Sequence, residues 1–489
     1  MSFPPRDLEE VQRAGSLSQD FQVSQLLANL GEEGCPICRE TSGNDGRYFF
    51  WFFHENYSMA ETLDSLTRSF GFCPTHGAHA ILNPEGQSPL AVVHEVLARR
   101  IGPILSRDAT KRAYGKDTGS VLAMIDRCPA CRNREDTVAR NASFLAAGLN
   151  TPAGMDLYGH PGVLCFPHLQ AIAPRLPELV LGCILNLHEA AIASSMESLT
   201  KQHAMTSGVS STGWNDPDGA LMRALCLIAD NDRRLDLYPI GRISGASPAA
   251  RDPVGDFLET LPNDDACPVC TEVCRSWTEW MAWLGDAVPR GWEVDDVLPA
   301  CQEHVRAAVR AEDASLAFLT VDKALGAVLD QFRLGVEALA PPSIPESSRT
   351  LRRVVQALRG SNPRLRDALH FIGRIPPCPA CNRLATARDR ILALLFALLE
   401  APHHRASFER GYGLCLKHFS RAMALRPPPV VGTILAEVEA ARLSCLQWEL
   451  EESLRKDAWS NRPESPGAEH TAWRRAVQRF SGFFPGRED

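Results

Sequence analysis

The sequence is short of positive charge. Its 51 Lys and Arg residues are outnumbered by 59 Asp and Glu residues, and the net charge is −8 at pH 7. Because phosphate binding needs a basic surface, this balance argues against a general nucleic-acid-binding protein. Only six of the basic residues are lysines, a bias that indicates a bacterial source with GC-rich DNA.

Long apolar runs and a signal-peptide layout are also missing. The first ten residues mix acidic, basic and apolar side chains, whereas a signal peptide places a charged segment before an apolar one. No apolar run approaches the roughly 20 residues that a membrane-spanning helix needs. We therefore expect a cytoplasmic protein with no transmembrane segment. A reducing cytosol favours metal or redox sites over structural disulfides.

The motifs of common enzymes are absent as well. The chain contains no phosphate-cradling glycine loop, no His-Glu-x-x-His and no nucleophile elbow. Five histidines that stand outside any metal motif form no recognisable triad: His160, His188, His370, His403 and His404. The sequence predicts no catalytic residue and favours a non-enzymatic role. A zinc enzyme stays open if one site loses a ligand.

What the chain has is sixteen cysteines, twelve of them in a pattern that occurs four times. Each copy consists of Cys-Pro-x-Cys (CPxC), then 30 to 34 residues, then Cys-x-x-His (CxxH). In chain order, the motif positions are Cys35, Cys38, Cys73, His76; Cys128, Cys131, Cys165, His168; Cys267, Cys270, Cys301, His304; and Cys378, Cys381, Cys415, His418. Three thiolates and one imidazole complete a tetrahedral set for zinc. We expect four structural Zn²⁺ ions per chain, with one site in each copy.

The local patterns around the motifs predict an all-α fold. Bulky apolar residues follow each CPxC at similar offsets, among them the aromatic run 48–53 and the tryptophans of copy three, and strand alternation is scarce. We expect a tandem array of four zinc-stapled helical units in two duplicated halves, about 1–205 and 220–455. The predicted boundaries are zinc unit 1 at 1–105, zinc unit 2 at 106–205, a linker with a connecting helix at 206–261, zinc unit 3 at 262–339, zinc unit 4 at 340–456, and a linker with an amphipathic tail at 457–489.

The tail is the one segment that suggests a partner. Trp473, Val477, Phe480 and Phe484 lie at i, i+4, i+7 and i+11, and arginines stand beside them. Such a segment suits a groove on a partner protein or an anionic membrane surface, and it equally suits packing against its own domain. On the first interpretation the tail is dispensable for the fold.

Two interpretations compete with structural zinc. Cysteines with histidine also hold iron–sulfur clusters, and Cys-Pro-x-Cys occurs in thiol redox proteins. The sequence in and around the motifs, at 35–40, 71–76 and 414–418, resembles that of a family of uncharacterised bacterial proteins with paired CPxC and CxxH motifs. That resemblance implies metal binding and no particular activity. The sequence therefore predicts a zinc-binding helical scaffold or protein-interaction protein, with an iron–sulfur or redox protein as the alternative.

Overall fold

The structure is a computed structural model. It describes residues 21–31, 34–41, 43–113, 126–158, 164–206, 219–229, 253–288, 290–309, 314–340, 363–374, 378–458, 460–461 and 464–482. Position 484 of the predicted tail helix and most of the predicted linker at 206–261 lie outside these residues.

The described residues are helical almost throughout and contain no strand, which confirms the all-α prediction. In chain order the α-helices are α1 (21–28), α2 (Pro36–Thr41), α3 (Asn44–Trp51), α4 (Ala60–Arg68), α5 (Pro74–Ile81), α6 (Gln87–Ala113), α7 (Pro129–Leu149), α8 (Pro152–Leu157), α9 (Phe166–Ile172), α10 (Glu178–Thr206), α11 (Ala220–Ile228), α12 (Pro253–Thr260), α13 (Pro268–Ala287), α14 (Gln302–Val309), α15 (Ala314–Leu339), α16 (Pro363–Ile372), α17 (Pro379–Leu399), α18 (Pro402–Arg410), α19 (Leu416–Ala424), α20 (Pro429–Asp457) and α21 (Ala472–Ser481).

The helices form two compact units, each with its own core. Unit 1 comprises Met1–Ser42, Glu135–Arg233 and Ala287–Cys381, and unit 2 comprises Gly43–Arg134, Arg234–Asp286 and Asn382–Asp489. Each unit draws on both halves of the chain, whereas the sequence suggests two successive halves.

In unit 1, α15 packs against α10, α11, α14 and α16. The buried ring of Phe332 on α15 contacts Phe166 and His188 edge-on. By length and composition alone, Glu178–Gln202 of α10 could cross a membrane, at a mean hydropathy of 1.4. The expectation of no transmembrane segment rests on the absence of a long apolar run, and it does not single out this helix. The core helix of a water-soluble protein passes the same test.

In unit 2, the long helices α6 and α20 pack along each other, and α21 packs against both. The apolar face of α21 is covered, since Trp473, Val477 and Phe480 are each at most 7% exposed. The sequence leaves open whether the tail binds a partner or a membrane, or packs against its own domain. The structure shows the tail helix packed against other helices of unit 2. This burial contradicts the expectation that the tail is dispensable for the fold.

The aromatic segments that follow two of the CPxC motifs are divided between core and surface. In unit 2, Phe49, Phe52 and Phe53 are buried, while Phe50 and Trp51 are about half exposed. On α13, Trp277 and Trp280 are buried and Trp283 is 40% exposed. Five of these eight aromatic side chains are therefore buried, and the other three lie partly on the surface.

Candidate metal centres

The sixteen motif residues come together in four groups of three cysteines and one histidine, and each group could hold a metal ion. The groups are site A (Cys35, Cys38, Cys165, His168), site B (Cys73, His76, Cys128, Cys131), site C (Cys267, Cys270, Cys415, His418) and site D (Cys301, His304, Cys378, Cys381). Sites A and D lie in unit 1, and sites B and C lie in unit 2.

The prediction that each copy builds its own site is wrong. Every site combines the CPxC of one copy with the CxxH of its neighbour, so copies one and two exchange motifs, as do copies three and four. In copy two a long helix separates the two motifs. From Cys131 to the end of α7 the chain rises about 27 Å along a helix, and Cys165 follows that end within sixteen residues. The CxxH of copy two thus follows a long helix, and it pairs with the CPxC of copy one.

All eight motifs begin a helix. In each CPxC the first cysteine precedes the helix and proline takes the first helical position, as in Cys35 and Pro36 of α2. In each CxxH the cysteine is the residue before the first helical one; Cys73 and Cys415, for example, have the extended backbone of an N-cap. First-turn N–H groups and the positive end of the helix dipole stabilise thiolates. Each candidate site therefore lies where two helices begin.

The spacing of the ligand atoms suits one small ion. In all four sites the Nδ1 atom of the histidine lies 3.0–3.8 Å from the three sulfurs. One Sγ–Sγ pair in each site is 3.6–3.8 Å apart. A tetrahedral zinc with ordinary bond lengths would place two sulfurs about 3.8 Å apart, and a sulfur and a nitrogen about 3.5 Å apart.

The thiols of each site compete for negative charge. In site B the hydrogen bond between Cys131 and Cys128 lowers the pKa of Cys128 and raises that of Cys131. The same order recurs in every CPxC: the pKa of the first cysteine is lowered and that of the second is raised. Three adjacent thiolates repel one another, so full ionisation needs a cation among them.

The sites differ in their access to solvent. All four ligands of site A are buried, and site C has three buried cysteines. Cys73 and Cys131 of site B are half-buried. Site D is the most open, with Cys301 half-buried and Cys381 exposed.

A carboxylate whose side chain is 12% exposed supports site B from behind. Asp45, at the start of α3, places its Oδ2 atom 3.2 Å from Nε2 of His76, the ring nitrogen that faces away from the sulfurs. Burial raises the pKa of Asp45, but the contact with His76 outweighs burial and lowers it. A carboxylate in this position fixes the ring and the tautomer of a metal-binding histidine. Arg134 Nη1 lies 3.9 Å from the same oxygen.

A buried ion pair supports the loop that enters site C. Arg479 on α21 donates to Glu439 on α20 at 2.8 Å, and Glu439 is fully buried. Arg479 also donates to the carbonyl oxygens of Tyr412 and Leu414, at 2.6 and 3.1 Å. Glu439 accepts from the Leu414 N–H at 2.6 Å. The pair therefore fixes the backbone immediately before Cys415.

Two glycines let the end of α21 approach both centres of unit 2. A Cβ atom on Gly77, the residue after His76, would lie 2.4 Å from Oγ of Ser481. Gly482 has a φ of 84°, and a Cβ atom there would lie 3.5 Å from Sγ of Cys415. The last turn of α21 thus contacts the helix of site B and covers the sulfurs of site C.

A lysine supplies positive charge within the same unit. Lys417, inside the CxxH of copy four, donates to the carbonyl oxygen of Ser69. Burial lowers the pKa of Lys417, while nearby thiols of sites B and C, Cys128 first among them, act to raise it. With zinc bound, each site would carry one net negative charge, and a half-buried cation beside two such sites stabilises both.

Sequence reasoning found all the candidate ligands and missed the residues that support them. Asp45 is 31 positions from His76, and no motif connects the two. Arg479 is one of the arginines that stand beside the apolar residues of the tail, and it lies seven residues after the buried Ala472 and three after the buried Ala476. That i, i+4, i+7 spacing is the only signal that could have placed it on the buried side.

The chain matches no family model, no curated protein and no solved structure.

Proposed function

We propose that each of the four sites binds one structural Zn²⁺ ion, and that the protein is a zinc-stabilised helical scaffold. The observation that carries this proposal is the spacing of the ligand atoms. In every site the histidine nitrogen and one pair of sulfurs lie near the separations of a tetrahedral zinc complex, and all four ligand atoms lie within 4.8 Å of one another.

The same spacing favours a single ion over an iron–sulfur cluster. A cluster contains several irons, and its protein ligands bind different irons, so they must stand further apart than the ligands of one ion. In each site all four ligand atoms lie within 4.8 Å of one another. Thiol–disulfide exchange is the weaker alternative, because its usual strand-to-helix setting is absent from the described residues, which contain no strand.

A structural role follows from the completeness of each ligand set. Three cysteines and one histidine leave no coordination position for water or substrate, whereas catalytic zinc keeps one open. Because each site takes ligands from two copies of the repeat, bound zinc would fix segments that are more than a hundred residues apart in sites A and C, and 52 to 80 residues apart in sites B and D. Cys35 and His168, for example, are 133 positions apart.

We further propose that the protein binds a partner protein. This proposal draws support from aromatic side chains that the scaffold leaves exposed, including Phe50 and Trp51 at about half exposure. Aromatic residues are enriched at the centres of protein interfaces. The partner is expected to be a protein, since the acidic net charge disfavours nucleic acid.

Metal analysis with an absorption spectrum, on protein purified without air, tests the proposal. We expect a colourless protein with four zinc ions per chain, and loss of helicity once a strong chelator removes them, because metal-binding energy at such sites is folding energy. Bound iron with sulfide and visible absorption would establish the cluster alternative. Unchanged helicity and melting after complete zinc removal would show that the sites are not structural.

A further inference from the structure

We propose that site D is the reactive metal centre of this protein: peroxide-class oxidants attack the Cys381 thiolate and release the metal from this site before the other three. The proposal rests on the proposed zinc function and adds a modification site to it. Solvent reaches the ligands of site D more than those of any other site, and the closely spaced sulfur pair that every site contains is in site D the pair that solvent reaches.

Access separates site D from the others. Cys381 is the one exposed cysteine among the sixteen motif residues, and its neighbour Cys301 is half-buried. In site A every ligand is buried, and in site C all three sulfurs are buried. A peroxide must reach a sulfur to react with it, so the order of burial sets the order of reaction.

The arrangement of the sulfurs supplies the second step. Sγ of Cys301 lies 3.7 Å from Sγ of Cys381, which is close enough for a disulfide after a small side-chain rotation. The remaining ligands, Cys378 and His304, are buried beneath this pair. The outer two thiolates of site D are therefore the pair that can combine, while the inner two ligands stay in place.

The reaction balances with a peroxide as the sole oxidant. The Cys381 thiolate attacks one oxygen of hydrogen peroxide, the O–O bond breaks, and Cys381 becomes a sulfenic acid while hydroxide leaves. The Cys301 thiolate then attacks the sulfenic sulfur, the disulfide forms, and a second hydroxide leaves. Two thiolates lose two electrons, and the peroxide gains them. The zinc ion, left with two protein ligands, dissociates.

The test measures zinc release from the full zinc-loaded chain under limiting hydrogen peroxide, with a chromophoric chelator as the indicator. We expect a fast phase of one zinc per chain, followed by slower release of the other three. Peptide mapping at the end of the fast phase should find a disulfide that joins Cys381 to another ligand of site D. A first disulfide among ligands of site A, B or C would overturn the proposal, as would release in a single phase.

A matched pair of variants keeps the test decisive. Cys38→Ser removes a ligand of the buried site A at the position equivalent to Cys381, and this variant should start with three zinc ions and keep the fast phase. Cys381→Ser should lack the fast phase, and its remaining zinc should leave at the slow rate of the wild type. A fast phase that persists in Cys381→Ser overturns the proposal. The zinc content of the wild type before peroxide is added is a separate readout. Four bound ions with no fast phase of release would refute only this inference. Fewer than four bound ions would refute the proposed function.

Discussion

The buried ion pair between Arg479 and Glu439 predicts that a single substitution in the C-terminal helix will destabilise unit 2 and loosen site C. In Arg479→Met the Glu439 carboxylate loses its partner, and the carbonyl oxygens of Tyr412 and Leu414 lose a donor. Removing one partner of a buried pair costs about 3–5 kcal/mol. We expect a loss of that size in the free energy of unfolding of unit 2.

The helix also provides a matched control. Arg475, one turn earlier, pairs with Glu449 at 2.8 Å, and its side chain is 41% exposed. An exposed pair contributes about 0–1 kcal/mol, so Arg475→Met should be nearly neutral. Replacing both Arg479 and Glu439 by apolar residues should recover part of the stability, because no buried charge is then left alone.

The loss in Arg479→Met should grow with pH. Burial raises the pKa of Glu439 from its ordinary 4.5 to about 7, and Arg479 limits this rise. A carboxyl group whose pKa is raised by folding does not lower the stability while it is protonated in both the folded and the unfolded state. The loss of stability grows as pH rises from the pKa of the unfolded state to the pKa of the folded state. Without Arg479 the pKa rises further, so the difference between variant and wild type should be larger at about pH 8 than at about pH 6.

Urea denaturation and zinc-release kinetics measure these effects. Arg479→Met should show a lower unfolding midpoint and faster release of one zinc ion, since the loop before Cys415 is less constrained. Equal stability of Arg479→Met and Arg475→Met across this pH range would refute the reasoning. Release of all four zinc ions at the wild-type rate would refute the link between the ion pair and site C.

Two further predictions concern unit 2. Asp45→Asn should weaken zinc binding at site B by about 10–100-fold, the usual effect of losing a carboxylate behind a histidine ligand. As a control, Asp64→Asn removes an exposed pair with Arg100 and should leave zinc affinity unchanged. Competition with a chelator measures the affinity, and equal zinc retention in both variants would contradict the role of Asp45. Burial lowers the pKa of His94 from 6.5 to about 4. The neutral ring therefore contributes up to about 3 kcal/mol to the free energy of unfolding, and this stability is present above pH 6.5 and lost as pH falls toward 4. His94→Asn keeps a side-chain donor for the Leu90 carbonyl. On acidification this variant should lose less stability than the wild type. Parallel curves of the free energy of unfolding against pH for the two proteins would contradict this.

The sequence was sufficient to predict the ligands and their local structure. CPxC and CxxH identify their own metal ligands, and proline after the first cysteine indicates a helix start, so the four clusters at helix N-termini were predictable. The pairing of CPxC with CxxH motifs was not predictable, because a motif does not specify which distant motif it contacts. Cysteine positions likewise do not determine disulfide connectivity. The helical stretch after Cys131 was visible in the sequence, but its length does not decide the pairing, because the sixteen residues that precede Cys165 are long enough to return to Cys131.

The tail shows a second limit. Trp473, Val477 and Phe480 form an apolar face that fits a partner groove and an intramolecular groove equally well. The groove that binds this face is built from α5, α6, α19 and α20, which lie up to four hundred residues earlier in the chain. No local pattern specifies such a surface. The partner of Arg479 was unpredictable for the same reason, since Glu439 is 40 residues away on another helix.

The exchange of ligands between copies is tested most directly by the zinc content of two variants that each lose four ligands. One variant replaces the ligands of a single site in the structure, with Cys35, Cys38, Cys165 and His168 changed to Ala. The other replaces both motifs of copy one, with Cys35, Cys38, Cys73 and His76 changed to Ala. The first variant should retain three zinc ions per chain and the second only two, because its changes remove two ligands from each of sites A and B. Two zinc ions in the first variant and three in the second would mean that each copy builds its own site, and would contradict the account.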